Sequence, residues 1–291
     1  MVAYSFFRIL VALAQVLPFR LLYVFSDAVA FILQNIVGYR KAMIYNNLRL
    51  SFPNKTEDEI QVILCKSYAN LADIFVEAFK GMSFTEKDVV HRFRKVGAGW
   101  DTANAVTAKG STFLGTGAHY CNWEWGALAM QIHLDAPIYG IYKPIQNDRI
   151  DAFMRDRRGQ WGLHLRPTNR TAETLVESVG KAYAIFMVSD QSPSNTDAAY
   201  WFNFLNRRTP FLHGLEKHAR TYNYPVFYFD VERVARGRYD VTATLLADNP
   251  SALADGELTR RYATHLEALI QREPANWLWT HNRFKWAEPI K

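Results

Sequence analysis

Residues 111–125 read STFLGTGAHYCNWEW, and the fold follows from this stretch. The run over 111–117 is β-compatible and ends among glycines (Gly115, Gly117), and a helical apolar pattern begins almost at once afterwards. A strand feeding directly into a helix is the unit of an α/β domain, and open α/β sheets place ligands at the carboxyl ends of their strands. His119 falls in the connecting turn, and Glu124 follows five residues later. On one regular helix that spacing puts two side chains roughly 140° out of phase. They meet only if His119 lies in the turn and Glu124 in the first helical turn. The carboxylate would then accept from one ring nitrogen and leave the other free as a general base. Acyl transfer to an alcohol needs such a base, because an aliphatic hydroxyl is a poor nucleophile until its proton is removed. Positioned base assistance contributes about 10²–10⁴-fold. The competing reading is a His and a Glu that merely flank a turn.

Outward from this turn, strands are expected at 112–115, 137–142, 184–188, 226–231 and 239–245, with helical patterns near 122–133, 148–160, 171–181, 212–222 and 256–272. Their alternation predicts an α/β fold with a mixed, largely parallel sheet flanked by helices. Upstream, Thr56-Glu57-Asp58-Glu59 is a capping box, and Ile60, Ile63, Leu64, Tyr68, Leu71 and Phe75 recur behind it at helical spacing, up to Gly81. No Gly- or Pro-rich linker follows, so residues 51–291 are expected to form one catalytic domain behind a helical region at 1–50.

That N-terminal region is apolar. Residues 2–17 and 21–37 are two hydrophobic runs split by Pro18, each short of the roughly 20 clean apolar residues of a membrane span. Asp27, Gln34 and Asn35 share one helical face while leucines and aromatics fill the rest. Such a helix either lies in the membrane interface or docks on the domain with its apolar side in lipid, and either monotopic insertion or a single short span is expected. Arg40 and Lys41 follow directly and suit cytoplasmic headgroups. A secretory signal is not expected, because the first basic residue is Arg8 and no small-residue cleavage site stands out.

The chain has 291 residues, is 49% hydrophobic and carries a net charge of +6, enough apolar material for a sizeable core. Its basic balance suits an anionic membrane face, a phosphorylated lipid or an acidic protein. No helix-turn-helix, zinc-finger or RNP-type signature points to nucleic acid. Cys65 and Cys121 form neither a disulfide framework nor a CxxC pattern, and the histidines show no metal spacing, so neither a disulfide nor a metal is expected.

Four blocks in order carry a family resemblance. GAHYCNWEWG at 117–126 resembles the HxxxxE block of the late acyltransferases of lipid A biosynthesis, the lauroyl and myristoyl transferase family. Ile141-Tyr142-Lys143-Pro144 with Asn147 resembles that family's YRP…N segment, Asp190-Gln191 its DQ or DH segment, and PANWLWTHNRFK at 274–285 its C-terminal P-x-x-W-x-W-x-H-x-R-F/W-K block. The resemblance spans essentially the whole chain. It implies a glycerolipid-acyltransferase-like fold at the cytoplasmic face of the inner membrane, and direct transfer of a fatty acyl group from acyl carrier protein or coenzyme A. The acceptor would be a hydroxyl of a phosphorylated lipid A precursor, with no cofactor beyond the acyl donor. On this reading His119 is the base, and Glu124 orients it and stabilises the imidazolium.

Substrate-binding or oxyanion candidates are Lys143, Arg155, Arg157, Arg158 and Asp190. Two departures from the family pattern stand out. Lys143 replaces the usual Arg and loses its bidentate fork, and the segment after Asp190 lacks the family's glycine and Pro-Phe pair. The Arg155–Arg158 run also reads as a solvated helix face, and Asp190 as a strand-end turn. In the terminal block, Trp277, Trp279, Phe284 and Trp286 are expected in packing and interface contact rather than catalysis, and His281 and Arg283 in structural or headgroup roles. The rivals are a glycerolipid or aminolipid O-acyltransferase with the same pair, and a non-catalytic lipid-binding relative.

Overall fold

The computed structural model describes residues 2–289. Chain order begins with helices α1 (Val2–Val16), α2 (Phe19–Phe31), α3 (Lys41–Ser51), α4 (Glu57–Gly81) and α5 (Glu86–Arg92). The α/β part follows: β1 (Phe93–Val96), α6 (Gly99–Ala108), β2 (Phe113–Thr116), α7 (Trp123–His133), β3 (Ile138–Tyr142), α8 (Asp148–Arg158), β4 (Leu163–Pro167), α9 (Thr171–Glu177) and β5 (Ala184–Phe186). It closes with β6 (Tyr200–Phe204), β7 (Arg207–Phe211), α10 (Gly214–Tyr222), β8 (Val226–Ala235), β9 (Arg238–Ala247), α11 (Glu257–Arg272) and the short β10 (Glu288–Pro289).

The main sheet runs β1-β9-β8-β2-β5-β3-β4, with β8, β2, β5, β3 and β4 mutually parallel. Strands β9 and β1 are parallel to each other, and β9 reverses against β8 through a hairpin. This is the mixed, largely parallel α/β sheet that the alternation of elements predicts, and all five expected strands lie in it. Strands β2 and β5 are central, which is why they are almost wholly apolar. Gly115 in β2 lets the Phe186 ring lie where a Cβ would stand 2.4 Å from it. Helix α4 opens with the expected capping box: Thr56 Oγ1 accepts from the Glu59 amide, and the Glu59 carboxylate accepts from the Thr56 amide.

Strands β1 and β4 are edge strands, and sequence reasoning missed both. In β1, Arg94, Lys95 and Val96 are exposed, so the segment shows no apolar run; pairing with β9 makes it a strand. The unfamiliar segment after Asp190 contains the hairpin β6–β7, which forms a small second sheet with β10. Its two-residue turn is Leu205-Asn206, both at positive φ (48° and 62°). That conformation usually announces itself as Asn-Gly, so a leucine there hides the hairpin from a sequence reading.

Helix α2 continues through a π-helical turn at Ile32–Ile36. Residues Phe19–Ile36 form a helix long and apolar enough to cross a membrane, with mean hydropathy 1.3. One face is polar and docks on α4 and the β8–β9 hairpin. Ser26 Oγ donates to Asp73 (2.7 Å), Asp27 pairs with Arg236 (2.6 Å), and Gln34 Nε2 donates to Cys65 Sγ (3.0 Å). Asp73 is buried but meets two guanidiniums, Arg233 (2.5 Å) and Arg236 (2.6 Å), which offset its desolvation. Asn35, by contrast, is exposed. The opposite face presents Leu21, Val24, Phe25, Phe31 and Ile36 to the surroundings.

Candidate active site

The β2–α7 turn has the predicted form. Residues 117–122 leave the carboxyl end of β2, and Glu124 sits in the first turn of α7. Cys121, at φ 50°, turns the chain. The turn is clamped from the C-terminal block, with the Cys121 amide donating to Asn276 O (2.8 Å) and the Leu278 amide to His119 O (3.0 Å). From α11, the Tyr262 hydroxyl donates to Gly117 O (2.8 Å). His119 is therefore held by main-chain bonds from a segment more than 150 residues downstream.

The hydrogen bond expected from Glu124 comes instead from Asp190, at the far end of β5. His119 Nδ1 lies 2.7 Å from Asp190 Oδ1, and the His119 amide donates to Asp190 Oδ2 (2.9 Å). Trp277 Nε1 donates to the same Oδ2 (3.1 Å). Parallel pairing of β2 with β5 brings these strand ends together. Asp190 is buried, which pushes its carboxyl up; the adjacent His119 charge and these three hydrogen bonds more than offset that and hold it below the usual carboxylate range. Burial pushes the His119 imidazole down, yet the Asp190 charge and hydrogen bond, with a smaller contribution from Glu124, leave it raised. With Nδ1–H committed to Asp190, Nε2 is the nitrogen left to accept a proton. Gln191 Nε2 approaches it at 3.4 Å. Trp123 stands edge-on to the ring, centroids 5.1 Å apart.

Glu124 is engaged elsewhere. Arg158 grips it with two parallel bonds, Nη2 to Oε1 at 2.7 Å and Nε to Oε2 at 3.0 Å. Of the other candidates, Lys143 is exposed, Arg155 pairs with Asp151 (3.2 Å), and Arg157 lies 3.6 Å from Asp156 with its Nε buried and unbonded among the described residues. The structure thus assembles His119 with Asp190, and Glu124 with Arg158. Sequence reasoning missed Trp277 as a partner of Asp190. Its signal, an aromatic-rich terminal block, reads equally well as core packing.

Beside Glu124 opens a cleft of about 390 Å³. Apolar side chains of the first helices and α4 (Phe7, Phe75, Phe79) and of the α8 region (Ile145, Ile150, Met154) line it, together with Trp123, Glu124 and Arg158. A charged pair among largely apolar walls suits an amphipathic molecule. Among the described residues, no three His, Cys, Asp or Glu side chains gather as metal ligands.

The sequence profile of the family described as "Bacterial lipid A biosynthesis acyltransferase" matches residues 2–286. A lipid A biosynthesis lauroyltransferase of Escherichia coli (strain K12) is 21% identical over 275 residues, covering 92% of this chain and 87% of the relative.

Proposed function

Since the chain belongs to the bacterial lipid A biosynthesis acyltransferase family and is therefore an acyltransferase, we propose that it moves a fatty acyl group from a thioester of acyl carrier protein or coenzyme A to a hydroxyl of a phosphorylated lipid A precursor. The observation that carries this reading is the position of His119, poised by Asp190 beyond a strand end, with its ring neighbour Trp123 lining the apolar cleft. His119 Nε2 removes the acceptor hydroxyl's proton as its oxygen attacks the thioester carbonyl. The tetrahedral intermediate then collapses, the carbon–sulfur bond breaks, and the imidazolium returns its proton to the departing thiolate. Asp190 orients the ring and keeps the correct tautomer. Glu124, whose charge acts on the ring, stabilises the imidazolium, and Arg158 fixes that carboxylate.

The acyl chain lies in the cleft. Lys143, Arg155 and Arg157 meet phosphates of the acceptor or of the donor's carrier arm, with Lys143 acting as a point charge rather than a fork. The exposed apolar face of α1 and α2 sits in the inner membrane, and the α/β part lies on its cytoplasmic side, within reach of the soluble acyl donor. Mass spectrometry of lipid A from a strain lacking the gene tests this reading. A missing secondary acyl chain, restored by the wild-type gene but not by His119→Ala, is expected; an intact lipid A pattern with altered phospholipids overturns it.

A further inference from the structure

We propose that Glu77 is a positioning residue for the acyl transfer described above. Its buried carboxylate fixes the cap of α7, and through Tyr23 it ties that cap to helix α2.

Glu77 lies inside the molecule, near the end of α4, with 0% of its surface exposed. A carboxyl group there is tolerated only if its oxygens are satisfied. Three donors from three separate elements do this. Tyr23 Oη of α2 reaches Oε1 at 2.7 Å, while Asn122 Nδ2 and Tyr239 Oη of β9 reach Oε2 at 2.6 and 2.7 Å. The Glu77 carbonyl also accepts from Trp125 Nε1 at 2.7 Å.

Asn122 is the important partner. It is wholly buried, and its Oδ1 caps α7 by accepting from the Trp125 amide (2.9 Å). Its Nδ2 has to donate somewhere for the amide to keep that orientation, and Glu77 is where it donates. The two residues that follow the cap are Trp123, edge-on to His119, and Glu124, in the grip of Arg158. A cap held from behind therefore sets both of these cleft-lining side chains, although among the described residues no hydrogen bond joins Glu77 to either.

The Tyr23 arm has a built seat. A Cβ on Gly237, at the tip of the β8–β9 hairpin, would stand 2.2 Å from the Tyr23 hydroxyl oxygen, so the hairpin closes over it only with glycine, whose φ here is +72°. The helix that is long and apolar enough to cross a bilayer is thereby hydrogen-bonded to the same carboxylate as the α7 cap.

The test compares Glu77→Leu with Glu77→Gln in the purified full-length chain, assayed with an acyl thioester and the lipid A precursor. Glutamine keeps an oxygen for Asn122, and the Tyr23 hydroxyl can rotate to accept, so E77Q is expected to keep kcat within about threefold of wild type. E77L removes both side-chain acceptor oxygens and is expected to lower kcat at least about tenfold per folded molecule, with KM changed by less than about twofold. A folded E77L with wild-type kcat overturns the proposal, as does an E77Q as impaired as E77L. If E77L does not fold, Tyr23→Phe serves, with an expected fall in kcat of about threefold; wild-type kcat there overturns the link to α2. Amide exchange at Trp125 needs no substrate and is expected to quicken in E77L but not in E77Q. Equal exchange in both variants sinks the cap role, whereas an inactive wild type with this exchange pattern sinks the acyl-transfer reading instead.

Discussion

Asp190 Oδ1 lies 2.7 Å from Nδ1 of His119, closing a hydrogen bond across 71 residues of sequence at the ends of two neighbouring parallel strands. Because this bond, rather than one from Glu124, orients the ring, the chemistry expected of His119 depends first on Asp190.

Asp190→Asn keeps the shape but removes the charge. It is expected to lower kcat by about 10²–10⁴-fold, because the imidazolium formed during transfer loses its counter-charge and the ring its preferred tautomer. The sign for pH follows from the Asp190 contribution, which raises the His119 pKa. Without it the ring loses its proton at lower pH, so the acid limb of the kcat/KM profile moves to lower pH. A profile with an unmoved acid limb would refute the assignment.

The same pair enters stability. His119 has a raised folded pKa, so its contribution is fully present below the imidazole's ordinary value of about 6.5 and is lost as pH rises through the folded value. The gap in Tm between wild type and His119→Gln should accordingly narrow from pH 6 to pH 9. Thermal melts followed by circular dichroism at several pH values check this.

Arg158 holds Glu124 through a planar fork, which lysine cannot reproduce. Arg158→Lys is expected to recover little of the activity lost in Arg158→Ala, both falling at least about tenfold in kcat. The pair is about one-fifth exposed on each side, so Arg158→Ala should also destabilise the protein by about 1–2 kcal/mol in denaturant titration. Full rescue by lysine would show that only the positive charge is needed.

Ala78 lines the cleft on α4 and is its smallest wall residue. Ala78→Phe shortens the space for an alkyl chain without touching His119. Each methylene excluded from apolar contact is worth about 0.8 kcal/mol, roughly fourfold in kcat/KM. Competition between donors of different chain length should therefore shift toward shorter chains, and unchanged selectivity would place the acyl chain elsewhere.

Thr56 caps α4, the helix that carries Asp73, Glu77 and Ala78. Thr56→Ala removes the acceptor for the Glu59 amide and is expected to cost about 1 kcal/mol in chemical denaturation, leaving kcat unchanged.

What the sequence determined by itself was local. The β2–α7 turn, the five core strands, the capping box at Thr56 and the placement of His119 in a turn ahead of Glu124 are all written in periodicity, glycines and capping residues, which act over a few positions. The docking of α2 was partly legible, since Asp27 and Gln34 already marked its polar face. Edge strand β1 and the Leu205-Asn206 hairpin were not, because pairing with distant strands overrides their weak local signals. Which carboxylate meets the histidine was likewise decided only by tertiary structure. Glu124 is five residues from His119 and Asp190 is 71, yet parallel pairing of β2 and β5 sets Asp190 against the ring while Arg158 draws Glu124 away. Spacing along the chain constrains neighbours on one element; the register of a sheet and the packing of helices on it choose partners between elements, and those choices rest on contacts that no short window of sequence contains.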